Sequence, residues 1–472
     1  MSPKILIEKP GPLLVRGLNW LGDAVMSFPA LVAVAGALPG RRIVVLARPG
    51  SADAYAGLGC VSEVLTEDRS LSSRLSAAKR IRALAPSGAL VLPNSFSSAF
   101  FAFLTGAPVR VGTARNLRSP LLTRPVGLAP REEAAHECFR FLRLAEELGL
   151  KAPFSRPSLE APPLPPGMAL PAGLRLAVAP GAAFGGAKRW PAEHFAQTAR
   201  LILEGRQGGV VILGGPAEAG AARMVEEGLS PGTPVLNLAG RTRLGEAMAV
   251  LARCHLTLSN DSGLMHLSGA LDVPVVAVFG PTNPVRTSPL ARRLAILRHP
   301  APCSPCSFRE CPRERRICFD DLTPREVAQA AAVLLSPVER SRRQIFWSPT
   351  DDQAWPDRPP RDFVFFSPAA EIAKAGGKPA SAPAWVKVIW KPLEDVNDWR
   401  GLIHEYRLDP SSSFWLGDDG RHVRLARSLG GRSVLVMTGR ARGEMPALLA
   451  EGAIPDLAAP DLARAMEWMA SV

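Results

Sequence analysis

One stretch, Asn260–Pro284, NDSGLMHLSGALDVPVVAVFGPTNP, constrains the fold of this chain more than any other. The run before it, His255–Leu258, is apolar or β-branched and reads as a buried strand. Asn260, Asp261 and Ser262 are helix-start residues, and Gly263–Leu271 is a short, mostly apolar helix. Asp272 turns the chain, and Pro274–Phe279 is a second buried strand. Two adjacent strands joined through a helix form a βαβ unit, so the sheet is expected to be parallel. The loop before the helix then stands at the carboxyl end of its strand, where open α/β sheets bind ligands. Backbone N–H groups at such a helix start can hold a diphosphate. A capped helix in an ordinary α/β domain would carry the same residues, so the rest of the chain has to decide.

The pattern recurs on both sides of a break. Pro12–Val15 reads as a strand, Arg16–Gly22 as a loop, and Asp23–Leu38 as a helix interrupted at Pro29. Asp23 falls in the first helical turn, where the helix dipole stabilises a carboxylate. It also lies at the carboxyl end of a strand, where it could act as a base facing a cleft. Strands at Arg42–Ala47, Ala89–Leu92 and Val109–Val111, with helices near Leu71–Leu84, Ser97–Leu104 and Glu133–Leu148, complete one α/β half. The proline-rich segment Leu150–Gly173 breaks the periodicity and reads as a semi-rigid linker. Strands at Leu174–Ala179, Val210–Leu213 and Val235–Leu238 then restart it, with helices opening near Pro191 and Glu218 and at Leu244–Ala252. The expected division is 1–165, 166–340 and a tail at 341–472. Two α/β halves leave a cleft between them, a preferred place for ligands.

A length of 472 residues is enough for about three domains. The formal net charge of +13, with pI ≈ 10.0, permits an anionic partner. The charge is scattered, and no basic block interleaved with aromatics points to nucleic acid. No secretory signal is visible, and Ala24–Leu38 is too short to span a bilayer. The expected location is therefore the cytosol, with reversible contact to anionic lipid open to a basic protein. Four of the seven cysteines cluster as Cys303-x2-Cys306-x4-Cys311-x6-Cys318. A reducing cytosol disfavours disulfides. Four thiolates could hold a structural zinc, although the spacing is not that of a standard finger. Packed or free thiols are the alternative.

Three loops of the second half fall at strand carboxyl ends: Gly181–Lys188, Gly214–Glu218 and Asn260–His266. Together they offer glycines, a lysine and two acids. A nucleotide-diphosphate donor needs close backbone approach and a cation for its phosphates, and an acid for its ribose hydroxyls. Neither GxxxxGK[ST] nor GxGxxG is present, which removes the P-loop and the dehydrogenase fingerprint.

These residues resemble glycosyltransferase family 9. The resemblance is carried by Asn19-Trp20-Leu21-Gly22-Asp23, Pro93-Asn94-Ser95-Phe96, Pro180-Gly181-Ala182 with Lys188-Arg189-Trp190-Pro191, Asn260–His266, Phe279-Gly280-Pro281-Thr282, and Cys303-Ser304-Pro305-Cys306 through Asp321-Leu322-Thr323-Pro324. It extends from residue 12 to residue 338. It implies a GT-B fold of two Rossmann-like halves, with the acceptor on the first and the nucleotide sugar on the second. It also implies inverting, metal-independent transfer without a cofactor. The implied donor is ADP-heptose. The implied acceptor is the lipid A-core of lipopolysaccharide, on the inner face of the inner membrane. By position, Asp23 resembles the catalytic base. Lys188 resembles the phosphate-side lysine, Glu218 the ribose or adenine contact, and Asp261, Ser262, Gly263 and His266 the donor loop. A base that deprotonates the acceptor hydroxyl suits inverting transfer. Lys188 and the helix start at Ser262–Gly263 could stabilise the departing diphosphate without a metal. On the first half Asn94, Arg110, Arg115 and Arg118 could meet anionic acceptor groups; a solvated loop accounts for the arginines equally well. Two other readings stay open: another nucleotide sugar on the same scaffold, and a binding protein that kept the fold without turnover.

The tail has strand-like runs at Phe363–Phe366, Trp385–Trp390, Ser413–Leu416 and Ser433–Met437, and a closing helix at Pro460–Met469. Phe414–Asp418, Ala426–Gly431 and Val434–Gly439 resemble the last conserved part of haloacid dehalogenase-like phosphatases, of the heptose bisphosphate type. That chemistry needs a nucleophilic Asp and a second Asp two residues on. The matching start, Ile345–Thr350, carries Ser348 and Thr350 at those places. Asp418 remains, but the second magnesium-side acid falls at His422. The tail is therefore expected to be a degenerate, non-catalytic α/β domain.

Overall fold

The computed structural model describes residues 5–7, 9–68, 70–299, 301–306 and 308–335, and in the tail 361–365, 386–390, 414–417, 420–428, 432–436, 441–451, 453, 455, 457–459 and 465. The chain divides into two compact units. One comprises Met1–Leu128, Arg140–Thr282 and Thr287–Ser336; the other gathers Ala129–Phe139, Asn283–Arg286 and Pro337–Val472.

The first unit contains two six-stranded parallel sheets. The first sheet comprises β1 (Leu13–Arg16), β2 (Ile43–Ala47), β3 (Glu63–Thr66), β4 (Gly88–Val91), β5 (Arg110–Thr113) and β6 (Arg124–Val126), in the order β3-β2-β1-β4-β5-β6. The second comprises β7 (Leu174–Ala179), β8 (Gly208–Ile212), β9 (Val235–Asn237), β10 (Leu256–Asn260), β11 (Val275–Val278) and β12 (Leu294–Leu297), in the order β9-β8-β7-β10-β11-β12. Both are the doubly wound order, which reverses between the first and fourth strands of each sheet and opens a crevice there. The central strands are buried along their whole length, so they are continuous apolar runs such as IVVLA and VVAV.

Ten helices accompany these strands up to the second switch point: α1 (Leu21–Ala37), α2 (Pro49–Ala56), α3 (Leu71–Ala83), α4 (Phe96–Leu104), α5 (Pro130–Ala134), α6 (Glu137–Glu146), α7 (Ala192–Leu203), α8 (Ala219–Glu227), α9 (Leu244–Leu251) and α10 (Gly263–Ala270). Residues 151–173 form neither helix nor strand, in keeping with a linker. Three expectations need correction. The first helix is not interrupted at Pro29; α1 runs through it, because Ala24–Leu31 are all buried and packing holds the helix despite the missing N–H. The single helix expected over Glu133–Leu148 is two, α5 and α6. The short strands β3, β6 and β12 and the helix α2 lay outside the sequence reading.

The first turns of α1 and α10 meet within this unit. A Cβ placed on Gly263 would stand 2.7 Å from the Leu21 Cβ, and one on Gly22 would stand 2.9 Å from His266 Cδ2. Both glycines are therefore needed for the approach, each against a side chain of the other helix.

The tail is a five-stranded parallel sheet of β13 (Arg361–Phe365), β14 (Val386–Trp390), β15 (Phe414–Gly417), β16 (Arg432–Val436) and β17 (Leu457–Ala459), in the order β14-β13-β15-β16-β17. That is the other common doubly wound order. Ile345–Thr350, Asp418 and most of Pro460–Met469 lie outside the described residues. His422 is buried, and its Nε2 lies 3.2 Å from the Val434 carbonyl oxygen.

Replacing Gly263 by Val should push α1 and α10 apart. Overpacking of this kind costs about 1–3 kcal/mol, so the melting temperature should fall. An unchanged melting temperature would show that the two helix starts are not in tight contact in solution.

Candidate active site

The site is built from the carboxyl ends of β7 and β10. Asn260 ends β10 and is fully buried. Its Oδ1 accepts from the Trp190 backbone N–H at 3.0 Å, and its Nδ2 donates to the Pro180 carbonyl at 2.7 Å. One amide thus fastens both ends of the loop between β7 and α7. Trp190 extends the fastening: its indole N–H is shared between the Phe319 and Leu322 carbonyls, both at 3.2 Å, and its ring packs edge-on against Phe195. Within the loop the Gly186 N–H donates to Glu310 Oε1 at 2.8 Å.

This fastening sets Lys188. Its Nζ donates to Asp261 Oδ2 at 2.6 Å, and the same oxygen accepts from Thr282 Oγ1 at 2.6 Å. Both side chains of the pair are largely buried, and a charge in that position has to be paired. The ammonium also lies 4.9 Å from the centre of the Phe184 ring, which carries Arg309 at 5.1 Å. An ammonium has three N–H donors, and Asp261 takes one. The lysine is thus a cation held ready at the sheet's switch point, with its counter-charge supplied by the protein.

Glu218 closes the second of the three loops, Gly214–Glu218. Its Oε2 accepts from the Gly215 N–H at 2.7 Å. Its carboxyl lies over Gly181, where a Cβ would come within 2.1 Å of Glu218 Cδ. The first and second loops therefore touch through this carboxylate, and a side chain at position 181 would displace it. Ser262 stands at the N-cap of α10, but its hydroxyl pairs with Ser259 at 3.1 Å and makes no capping bond. The first N–H groups of α10 receive no cap from that side chain, the condition under which a helix start can receive an anion. His266 is buried one turn on, against Gly22, and Asp23 is half-buried in the first turn of α1. The residues expected to act together, Lys188, Glu218, Asp261, Ser262, Gly263, His266 and Asp23, thus cluster around two switch points and the helix starts that meet there.

The first-half residues separate. Asn94 Oδ1 accepts from Thr113 Oγ1 at 2.7 Å. Arg118, expected at the acceptor, is fully buried: its Nε donates to the Thr113 carbonyl and its Nη2 to Thr113 Oγ1, both at 2.8 Å, while Nη1 reaches the Pro93 carbonyl and Ser98 Oγ. Burial, with the Arg140 charge second, pulls its pKa down to about 10. Arg118 therefore braces its loop and offers no surface to an acceptor. Arg110 is also largely engaged, donating to the Leu121 carbonyl at 2.8 Å and the Ala107 carbonyl at 2.6 Å. Arg115 is exposed.

Cys303, Cys306, Cys311 and Cys318 line one small cavity of about 20 Å³. Burial first, and then the charges of the other three thiols, push the Cys318 pKa up to about 11. Among the described residues no three His, Cys, Asp or Glu side chains are placed to hold a metal ion, so the zinc expectation gains nothing from the geometry. Asn260, Thr282, Trp190 and Glu310 are the builders of the site that sequence reading did not assign. Asn260, Trp190 and Thr282 stood inside the quoted motifs, but their partners are distant in sequence.

Residues 74–316 match the family described as Glycosyltransferase family 9 (heptosyltransferase). Lipopolysaccharide heptosyltransferase 2 of Escherichia coli (strain K12) is 30% identical over 309 residues, covering 61% of this chain and 87% of that protein. Lipooligosaccharide heptosyltransferase 2 of Haemophilus ducreyi is 31% identical over 319 residues, covering 61% and 88%. The solved structure of E. coli ADP-heptose lps heptosyltransferase II superposes with a TM-score of 0.59 at 28% identity, covering 69% of this chain and 98% of that one. The chain belongs to glycosyltransferase family 9. Its fold is GT-B-like, and it is a transferase.

Replacing Asn260 by Ala should leave the Trp190 N–H and the Pro180 carbonyl unsatisfied, at about 1–3 kcal/mol for each buried group. The melting temperature should drop, and ADP affinity with it as the Lys188 loop loosens. Wild-type values for both would show that another group anchors the loop.

Proposed function

We propose that the protein transfers heptose from ADP-heptose to the lipid A-core of lipopolysaccharide, with inversion at the anomeric carbon. Its similarity to heptosyltransferases 2 at about 30% identity supports the sugar and the acceptor. The observation that carries the chemistry is the Lys188–Asp261 pair beside the start of α10. In this reading residues 1–165 receive the acceptor, 166–340 hold the donor, and 341–472 form a phosphatase-like appendage without catalysis. The reaction takes place on the cytoplasmic side of the inner membrane. The acceptor hydroxyl attacks the anomeric carbon as its proton passes to Asp23, and the bond from that carbon to the β-phosphate oxygen breaks. The electron pair stays on the diphosphate. Lys188 and the N–H groups of Ser262–Gly263 meet the charge that develops there. Glu218 is assigned to the ribose or adenine, and His266 to the positioning of the donor loop. Asn94 and Arg115 are assigned to the acceptor.

Asp23→Asn should lower the transfer rate by about 10²–10⁴-fold, with ADP affinity retained and stability reduced only by the lost helix-dipole contribution, about 0.3–1 kcal/mol. More than half the wild-type rate would remove Asp23 as the base. Lys188→Ala should weaken ADP binding by about ten- to hundredfold, the worth of a hydrogen bond to a charged group. Calorimetric titration reads this directly, and wild-type affinity would sink the assignment. A donor screen of ADP-heptose against UDP-, GDP- and dTDP-sugars tests the sugar itself.

A further inference from the structure

Helix α4, FSSAFFAFL, is apolar on two faces. Ser98, Ala99, Phe101 and Ala102 face the core of the first half. Phe96, Phe100 and Phe103 lie at i, i+4 and i+7 and are each about half exposed. Residues at that spacing form one stripe along a helix. The Phe96 and Phe100 rings stack at 6.4 Å, and the Arg110 guanidinium lies 5.4 Å from the Phe103 ring centre. The loop after β5 adds an apolar tip beside the same helix. Leu117 is 91% exposed and, with Asn116, adopts a left-handed backbone, φ 56° and 53°. That conformation costs a non-glycine residue roughly 1–2 kcal/mol. Here the network of Arg118 to Pro93 and Ser98, and of Asn116 Nδ2 to the Asn94 carbonyl at 2.9 Å, holds it. A leucine is thus fixed in solvent next to three phenylalanines.

The stretch of chain that carries this face is basic, although Arg80 and Arg74 on α3 pair with Glu63 and Glu67. Between Asp68 and Glu132 the sequence carries ten Lys or Arg and not one Asp or Glu. Lys79, Arg82, Arg115 and Arg124 are exposed. Arg82 lies at the far end of α4, its Cγ and Nε 3.8 Å from where a Cβ of Gly106 would be. Contiguous exposed apolar surface marks an interaction site. Aromatic and leucine side chains rimmed by Lys and Arg fit the headgroup region of an anionic bilayer, apolar groups among the acyl chains and cations at the phosphates. Among the described residues no helix is long and apolar enough to cross a membrane, and the stripe suits a helix that lies on one.

We propose that the α4 face, with Phe96, Phe100, Phe103 and the Leu117 tip, docks this protein on the surface of an anionic phospholipid bilayer. The proposal is independent of which sugar the enzyme transfers. The test is co-sedimentation of the full-length protein with vesicles of equal parts phosphatidylethanolamine and phosphatidylglycerol, and with vesicles of phosphatidylcholine alone. Wild type should bind the first and not the second, less strongly at high salt. Phe100→Ser combined with Phe103→Ser should weaken binding by at least about tenfold, since each ring withheld from the lipid forfeits that much transfer free energy. Leu117→Asn is the second variant; Asn tolerates the left-handed backbone, so it should reduce binding without lowering the melting temperature. Wild type that ignores the anionic vesicles overturns the proposal, as does binding that survives both variants. A dimer in sedimentation velocity that F100S/F103S dissociates would assign the face to a second copy of the chain instead.

Discussion

Everything in the site depends on how closely two helix starts approach each other. The N-terminal end of a helix carries a partial positive charge and unsatisfied N–H groups. Bringing α1 and α10 together at such ends is unfavourable unless negative charge is close by. Each helix contributes a glycine to the contact and receives a side chain from the other, Gly22 lying against His266 and Gly263 against Leu21. Asp23 in the first turn of α1 supplies one negative group. Asp261, just before α10, is already paired with Lys188, so the remaining positive ends favour an anion in the crevice. The geometry that makes the contact tight is therefore also what selects an anion.

The second constraint is the burial of charge. Lys188 is too enclosed to remain unpaired, so Asp261 and Thr282 form a small closed network around it. This gives Asp261 a structural role that its place in the loop does not by itself suggest: it holds the Lys188 cation in position. The motif at Phe279–Thr282 becomes intelligible for the same reason. Gly280 allows Phe319 to pack within 2.6 Å of its missing Cβ, and Thr282 returns a hydroxyl to Asp261.

Much of this was legible in the sequence, for a physical reason. Central strands buried on both faces have to be continuous apolar runs, and β2, β7, β10 and β11 could be read to within two residues. Edge strands escape that rule. β3 is only partly buried, β6 is the tripeptide RPV with a proline, and β12 is half-exposed throughout; their pairing depends on neighbours that the local pattern does not encode. Pro29 misled for the same reason, since the packing that overrides it is tertiary. The arginines were the least readable. Residue type suggested that Arg110, Arg115 and Arg118 were alike, whereas the fold buries one, partly engages another and exposes the third. Asn260 read as a helix starter because its partners, Pro180 and Trp190, lie 80 and 70 residues away in the chain.

Arg118 links the two surfaces of the first half. Its guanidinium joins the Pro93 carbonyl, the Ser98 hydroxyl and Thr113, and Thr113 in turn donates to Asn94. Asn94 precedes α4 by two residues, and Asn116–Leu117 is the segment that Arg118 braces from the other side. The Asn94 loop and the apolar stripe are therefore parts of one hydrogen-bonded piece. The Arg118 bonds to Thr113 and Ser98 are buried and so sheltered from competition with water, and they tie the segments around it into one piece. A bilayer held by the stripe would thus fix the height and tilt of Asn94 above the lipid surface without any further contact. On the proposed function, with a lipid-anchored acceptor and Asp23 as base, that fixed offset would restrict which sugar of the acceptor can be presented to Asp23.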